Sequence, residues 1–432
     1  MMHKIFAWKV LKKLGNLTFS ILLLLLIALL SILGTIIEQE NSLSYYQQHY
    51  PVSSNHLIAF NWKTIQLLHL NHLYTSWFFL ALLLIFGSSL IICTFSTQLP
   101  SLKNSRRWKF KQNLSGVNQL NQSVCLLLQT ASPVIYFLNH TNYHVFHQNN
   151  YVYGYKGLLG RVSPIFVHLS LILVLLGSLT SLFTGFLVQE MVPVGELFHL
   201  QNMVKSGVFS RMPYNIIGKI NSFHIEYYPN KSIKQFYSNI SILNHKNQVL
   251  LNHTISVNKP LYFKGLTFYQ TDWEVNGLRL EVGHNKVVQI PVKKINNNSQ
   301  AFWIANLHYA NSYDFSIVFS VIDGKISYYN QQGNLICNSL VGQDSMIIHL
   351  PLNIIEIMVS TGLQIKQDPG IAIIYFSFLI LMLSIASSYT SYSQVWIVIS
   401  CTDIKLSGNT NRAELIFEED ILKLKNMLST LF

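Results

Sequence analysis

Residues 162–188 read VSPIFVHLSLILVLLGSLTSLFTGFLV, an apolar run with one ionisable side chain, His168. At 1.5 Å per residue such a run crosses a hydrocarbon layer of about 30 Å. In lipid the backbone must satisfy its own hydrogen bonds, so a lone segment of this length is a transmembrane helix. Three further runs obey the same rule, giving spans at 17–37, 73–95, 164–188 and 370–393. With 50% hydrophobic and 11% charged residues, the chain lies far from the roughly one-quarter charged residues of a soluble domain. The predicted fold class is a membrane protein with four transmembrane α-helices.

Lysine and arginine set the orientation. The flank 1–16 carries Lys4, Lys9, Lys12 and Lys13, and the loop 96–163 carries Lys103, Arg106, Arg107, Lys109, Lys111, Lys156 and Arg161 with no acid. The loop 38–72 has only Lys63 against Glu38 and Glu40. Both termini and the basic loop are therefore expected on the inner side. The net charge of +12 is explained by segments beside anionic headgroups, and no nucleic-acid partner is needed. The first span is too long for a signal-peptide core, and GTIIEQE is a poor cleavage site, so an uncleaved helix is expected.

The stretch 189–369, between the third and fourth spans, is long enough for its own core. It is expected to be a large β-rich extracytoplasmic domain, because NIIGKINSFHIEYY, QFYSNISIL, LRLEVGHNKVVQIPV, FSIVFSVID, KISYYN, SMIIHL and NIIEIMVS alternate or are β-branched. Turn pairs at 276–277 (NG), 323–324 (DG) and 332–333 (QG) favour antiparallel hairpins. The segment 394–432 reads as an inner-side tail, in which the run GNTNRAELIFEEDILKLKNML (408–428) is expected to be solvated and amphipathic.

Few catalytic chemistries fit. The chain has no CxxC and one cysteine, Cys337, on the outer side, which argues against thiol-redox work. GxSxG, HExxH, Walker and GxGxxG patterns are absent. The chain does not read as an enzyme by itself.

The histidines carry the remaining signal. An imidazole in a hydrocarbon span is costly and is a functional candidate by default. For His168 three readings stand side by side: a core imidazole bonded to a neighbouring helix, an axial haem ligand, and a member of a proton relay, for which the spans supply no Asp or Glu. His168 is expected about 7 Å below the inner surface, five residues into a helix starting at 164. His69 and His72 precede the second span at i, i+3 and share a face if that helix begins early; the plainer reading is an interfacial belt with Tyr74, Trp77 and Phe78. His72 and His168 stand at opposite membrane surfaces, so one iron cannot take both. His140, His144 and His147 lie in what reads as a strand and turn, and their spacing is a weak metal signal.

Six stretches together resemble the ResB/CcsB family, which acts in System II biogenesis of c-type cytochromes, in its plastid and cyanobacterial branch. They are LGTIIEQE (33–40), LNHLYTSWFFLALLLIFGSSLIICTF (70–95), YKGLLGRVSPIFVHLSLILVLLGSL (155–179), KPLYFKGLTFYQTDW (259–273), SYTSYSQVWIV (388–398) and GNTNRAELIFEEDI (408–421). The resemblance covers the whole chain in order. It implies haem as transient cargo, CcsA as partner, and delivery to apocytochromes such as cytochrome f. It implies a multi-pass plastid thylakoid protein, or a cyanobacterial thylakoid one, with stromal termini and the large domain in the lumen. It places His168 on the third-helix histidine and His72 on the histidine before YxSWxF, both as axial-ligand candidates. The tryptophan-rich presentation loop of CcsA is absent, so this chain is expected to be the non-catalytic partner, and the second axial ligand of His168 is expected from CcsA. Where the family often has histidine, this chain has Tyr392. A membrane sensor or scaffold with a partner-binding β domain is the competing reading; the inner side offers it no output domain.

Overall fold

The computed structural model describes residues 9, 11–52, 61–105, 110, 122–124, 131–214, 216–229, 232–244, 246–283, 286–297, 300–309, 313–320, 325–347, 350–400 and 404–430. Among these, four helices are long and apolar enough to cross a membrane: α1 (Leu17–Ile36), α2 (Trp77–Ser105), α3 (Leu159–Thr184) and α4 (Gly370–Ser388). The chain divides into two compact units, one of Met1–Ser178 with Ala372–Phe432 and one of Leu179–Ile371.

Capping chemistry fixes where the helices start and stop. Asn16 accepts from the Thr18 amide at the head of α1, and Ser76 accepts from the Phe79 amide at the head of α2, satisfying orphan first-turn donors. Leu73–Thr75 therefore lie in a 3₁₀ turn, Leu70–Thr75, ahead of the helix. α2 runs on past residue 95 through a π turn at Thr94–Gln98 and a last α segment, Leu99–Ser105. Pro100 has no N–H to offer residue 96, and the widened turn just before it accommodates that loss. α3 opens at Leu159 rather than Pro164, because Gly157 and Leu158 accept the first amide bonds, from Gly160 and Arg161. It stops at Thr184, and Phe186–Val188 continue as strand. Apolar composition alone does not separate a helix end from a buried strand.

In the first unit α1, α2 and α3 share a core in which Leu23, Leu82, Phe86 and Leu90 pack with Phe19, Ile27, Leu171 and Leu175. Ser20 and Ser89 hydrogen-bond at 2.7 Å between α1 and α2, the small polar contact that helix pairs use where lipid supplies no hydrophobic drive. Between α1 and α2 the connecting segment has its own core of Ile37, Tyr46, Ile65, Leu70 and Leu73. Gln39 locks it: its amide donates to the Gly34 and Leu70 carbonyls and accepts from the Leu73 amide. This is the structural content of LGTIIEQE.

The presumed tail is not solvated. Strands His144–Gln148, Tyr151–Lys156, Ser393–Ile399 and Ile404–Thr410 lie in that spatial order in one antiparallel sheet. Helices Ser132–His140 and Glu414–Thr430 supply Val134, Leu138, Phe417, Ile421, Leu424 and Leu428 to the sheet's core. The basic loop and the C-terminal segment thus fold together. A 3.6-residue apolar stripe predicts an amphipathic helix but not what the stripe faces.

The second unit is antiparallel β throughout its described strands, centred on the long pair Leu266–Val282 and Leu350–Gln367. The half nearer Gln367 packs Leu266, Phe268, Leu363 and Ile365 against Ile220, Ile240 and Ile255 of a four-stranded sheet. The other half packs Leu278, Leu280, Leu352 and Ile354 against Trp303, Ile317, Phe319 and Ile326 of a five-stranded sheet. Register shifts at Gln270/Asp272 and Val275/Gly277 separate the halves, as bulges that add twist and re-aim side chains do. The NG pair at 276–277 is therefore such a bulge and not a hairpin turn. The QG pair at 332–333 does turn, between Lys325–Asn330 and Leu335–Leu340; the DG pair lies outside the described residues.

Candidate functional site

The polar content of the helix core is concentrated where the second half of α2 meets the first half of α3. Thr94, Gln98, Ser101 and Ser105 fall at i, i+4, i+7 and i+11 on α2, one face of a helix. Facing them are His168 and Arg161, two turns apart on α3.

His168 is half-buried, and both ring nitrogens are engaged. Nδ1 lies 3.0 Å from Thr94 Oγ1, and Nε2 lies 3.0 Å from Gln98 Nε2. The Thr94 hydroxyl hydrogen is directed at the Leu90 carbonyl, 2.7 Å away, so Oγ1 has a lone pair to offer. That arrangement calls for the tautomer with hydrogen on Nδ1, donating to Thr94, and a bare Nε2 accepting from the Gln98 amide. It orients an imidazole for donation through Nε2, as partners of metal-bound histidines do. Gln98 pays a polar cost for its position, since its Oε1 is buried without a hydrogen-bond partner.

Two turns toward the α3 N-terminus, the Arg161 guanidinium lies over the Tyr392 ring, 5.2 Å from its centroid. Its Nη1 donates to Ser101 Oγ at 3.4 Å. Tyr392 is buried at 2% exposure, and its hydroxyl donates to the Ser105 carbonyl at 3.0 Å. Burial is the main reason its phenol titrates well above the usual range. The backbone around Tyr392 is clamped: its amide donates to Asn411 Oδ1 at 2.7 Å, and Arg412 holds the Ser388 carbonyl at 3.0 Å. A Cβ on Gly157 or Gly160 would overlap the Ser391 or Thr390 carbonyl oxygen, and Gly157 also sits at φ +76°. YKGLLGR, from one part of the sequence, and SYTSYSQVW with GNTNR, more than 200 residues later, thus form one knot at the α2 and α3 ends.

His72 is elsewhere. It is exposed in the 3₁₀ turn ahead of α2, separated from Thr94 by the 17-residue helix Trp77–Cys93, about 25 Å of rise. His69 has left-handed backbone, φ 52°, and His72 is non-helical, so the two do not share a helix face. His140 ends a helix and His144 opens a strand. Among the described residues no three His, Cys, Asp or Glu side chains stand together in a metal-binding group. With α3 starting at Leu159, His168 is nine residues into its helix, about 13 Å. Thr94 and Gln98 escaped the sequence reading; their signal was the uncharged polar spacing in TFSTQLP.

Sequence comparison matches the chain to the ResB-like family over residues 17–338 and 327–422. The cytochrome c biogenesis protein Ccs1 of Pyropia yezoensis is 46% identical over 432 residues, covering 99% of this chain and 98% of that protein. Ccs1 of Porphyra purpurea is 46% identical over 98% of this chain and 97% of its own length. The cytochrome c biogenesis protein CcsB of a Picosynechococcus strain is 39% identical over 98% of this chain and 93% of its own length.

Proposed function

The chain belongs to the ResB-like family, and we propose that it acts in biogenesis of c-type cytochromes, handling haem as cargo rather than as a resident cofactor. Relatives bearing that name in red algae and a cyanobacterium support the role and a thylakoid membrane setting. The reading places the termini on the stromal side and the β-rich unit in the lumen, as the lysine and arginine distribution argues. The chain contributes no catalytic group of its own. It works as partner of CcsA, delivering haem to apocytochromes such as cytochrome f.

One observation carries the haem reading: a membrane histidine whose Nδ1 is fixed by Thr94 and whose Nε2 meets the amide of Gln98, a glutamine with an unsatisfied oxygen. His168 offers the neutral nitrogen that haem iron takes. Gln98 closes that nitrogen when no cargo is present and turns away when cargo arrives, while Thr94 keeps the ring aimed. CcsA supplies the second axial donor, because His72 is a helix length away. His72, exposed at the opposite end of α2, is a candidate for a separate haem contact on the lumenal side.

The test is covalent haem in c-type cytochromes of cells whose only copy carries His168→Ala or Thr94→Val. Loss in the first and reduction in the second is expected at unchanged protein level. Full haem attachment in His168→Ala would refute the ligand role.

A further inference from the structure

The β unit ends where α3 and α4 leave it, and that end is not finished as a water-facing surface. Strand Phe186–Pro193 follows α3 after one residue, Gly185, and Phe186 pairs with Gln367, three residues before Gly370 opens α4. The chain then returns to this level. Strand Met203–Ser206 pairs with Phe186–Val188, after which the Gly207 amide donates to the Gly185 carbonyl and the Phe209 amide to the Phe183 carbonyl, each at 2.8 Å. Residue 207 must be glycine here, since a Cβ would overlap the Phe183 carbonyl. The Phe209 ring lies 6.2 Å from that of Phe183, in the last turn of a membrane-crossing helix.

Large apolar side chains are bare at this level. Val208, Phe209, Tyr214 and Tyr262 are between 70% and 86% exposed, a grouping soluble surfaces avoid. Tyr262 precedes the two-residue tip of hairpin Leu261–Phe263/Leu266, where Lys264 at φ 47° and Gly265 at φ 80° make the turn. Chain neighbours of these residues line a cavity of about 390 Å³, with Arg211, Ile216, Phe263, Lys264 and Gln367 among its walls. Gln367 Oε1 is buried there without a hydrogen-bond partner. Apolar walls, two cations and an unmet acceptor, beside the last turn of α3, match the boundary between acyl chains and headgroups, where aromatic rings and basic side chains gather.

We propose that this end of the β unit is a lipid seat. Val208, Phe209, Tyr214 and Tyr262 enter the headgroup layer. The cavity holds the headgroup of one anionic lipid, its oxyanion paired with Arg211 and Lys264 and a headgroup hydroxyl donating to Gln367 Oε1. The seat holds the β unit against its own membrane and is independent of the haem reading.

Hydrogen exchange on the full chain in nanodiscs tests this, with phosphatidylcholine alone compared with phosphatidylcholine plus about one-third phosphatidylglycerol. The anionic lipid should slow exchange in peptides 203–214 and 260–267 about tenfold, and Arg211→Gln/Lys264→Gln should abolish the difference. Equal exchange in both nanodiscs, persistence of the difference in the double variant, or the same protection from inorganic phosphate with phosphatidylcholine would overturn the proposal. Amides of Ile240 and Ile242 in the core report whether the variant is folded. If they exchange faster, the comparison of the two nanodiscs for the wild type decides alone.

Discussion

Leu424→Ala separates a packed C-terminal helix from a solvated tail. Leu424 is fully buried, whereas Leu422, two residues away on the same helix, is 50% exposed. Removing the buried side chain leaves a cavity in the core that Leu424 shares with Val134, Leu138, Val395 and Ile397, and truncations of this kind cost about 2–5 kcal/mol. Leu422→Ala loses little burial and should stay within about 0.5 kcal/mol. Since each 1.4 kcal/mol is a factor of ten, amides of strands Ser393–Ile399 and Ile404–Thr410 should exchange at least about 30-fold faster in Leu424→Ala, if they open with this core. Hydrogen exchange in detergent or nanodiscs measures this peptide by peptide. Equal exchange in both variants, at the wild-type rate, would refute the packing and restore the tail.

Two other perturbations follow from the same contacts. Gly160→Ala forces α3 away from the Thr390 carbonyl, so protease sensitivity around residues 388–412 should rise while the β unit keeps its own melting transition; an unchanged digestion pattern would contradict the knot. Asp368 stands just ahead of α4, bonded to Ser181 and Lys366. Burial alone would raise its carboxyl, but the bonds from Ser181 and Lys366 hold it below the usual carboxylate value. A depressed folded pKa means stability present above the ordinary carboxylate range and lost as pH falls through the folded value. Acid should therefore destabilise the wild type through this region more than Asp368→Asn, as monitored by unfolding between neutral pH and about pH 3.

Much of the architecture was legible because the bilayer imposes a strict length rule. Four apolar runs of about 20 residues had few other structures open to them, and the alternating stretches between the third and fourth became antiparallel strands. What stayed hidden depends on contacts between distant residues. Phe417, Ile421, Leu424 and Leu428 make the same stripe whether they face water, lipid or Val395 and Ile397. The NG pair at 276–277 carries turn chemistry, yet its flanking strand segments both pair with Leu350–Gln367 and turn it into a bulge. Pro164 resembles a helix start, but Gly157 and Leu158 begin the helix earlier. At the site, His168 was conspicuous because charge is costly in lipid. Its partners Thr94 and Gln98 are ordinary uncharged residues, given meaning only by the π turn and the approach of α3. Tyr392 carried no polar or charged signal of its own, and the fold uses it as a buried ring beneath Arg161.

In the proposed role, His168 presents Nε2 to haem iron. Its most direct test is the absorption spectrum of the chain purified with CcsA, for the wild type, His168→Ala and Gln98→Ala. A Soret band is expected that collapses in His168→Ala and persists or strengthens in Gln98→Ala, where the nitrogen is uncovered. An undiminished band of unchanged position in His168→Ala would contradict it.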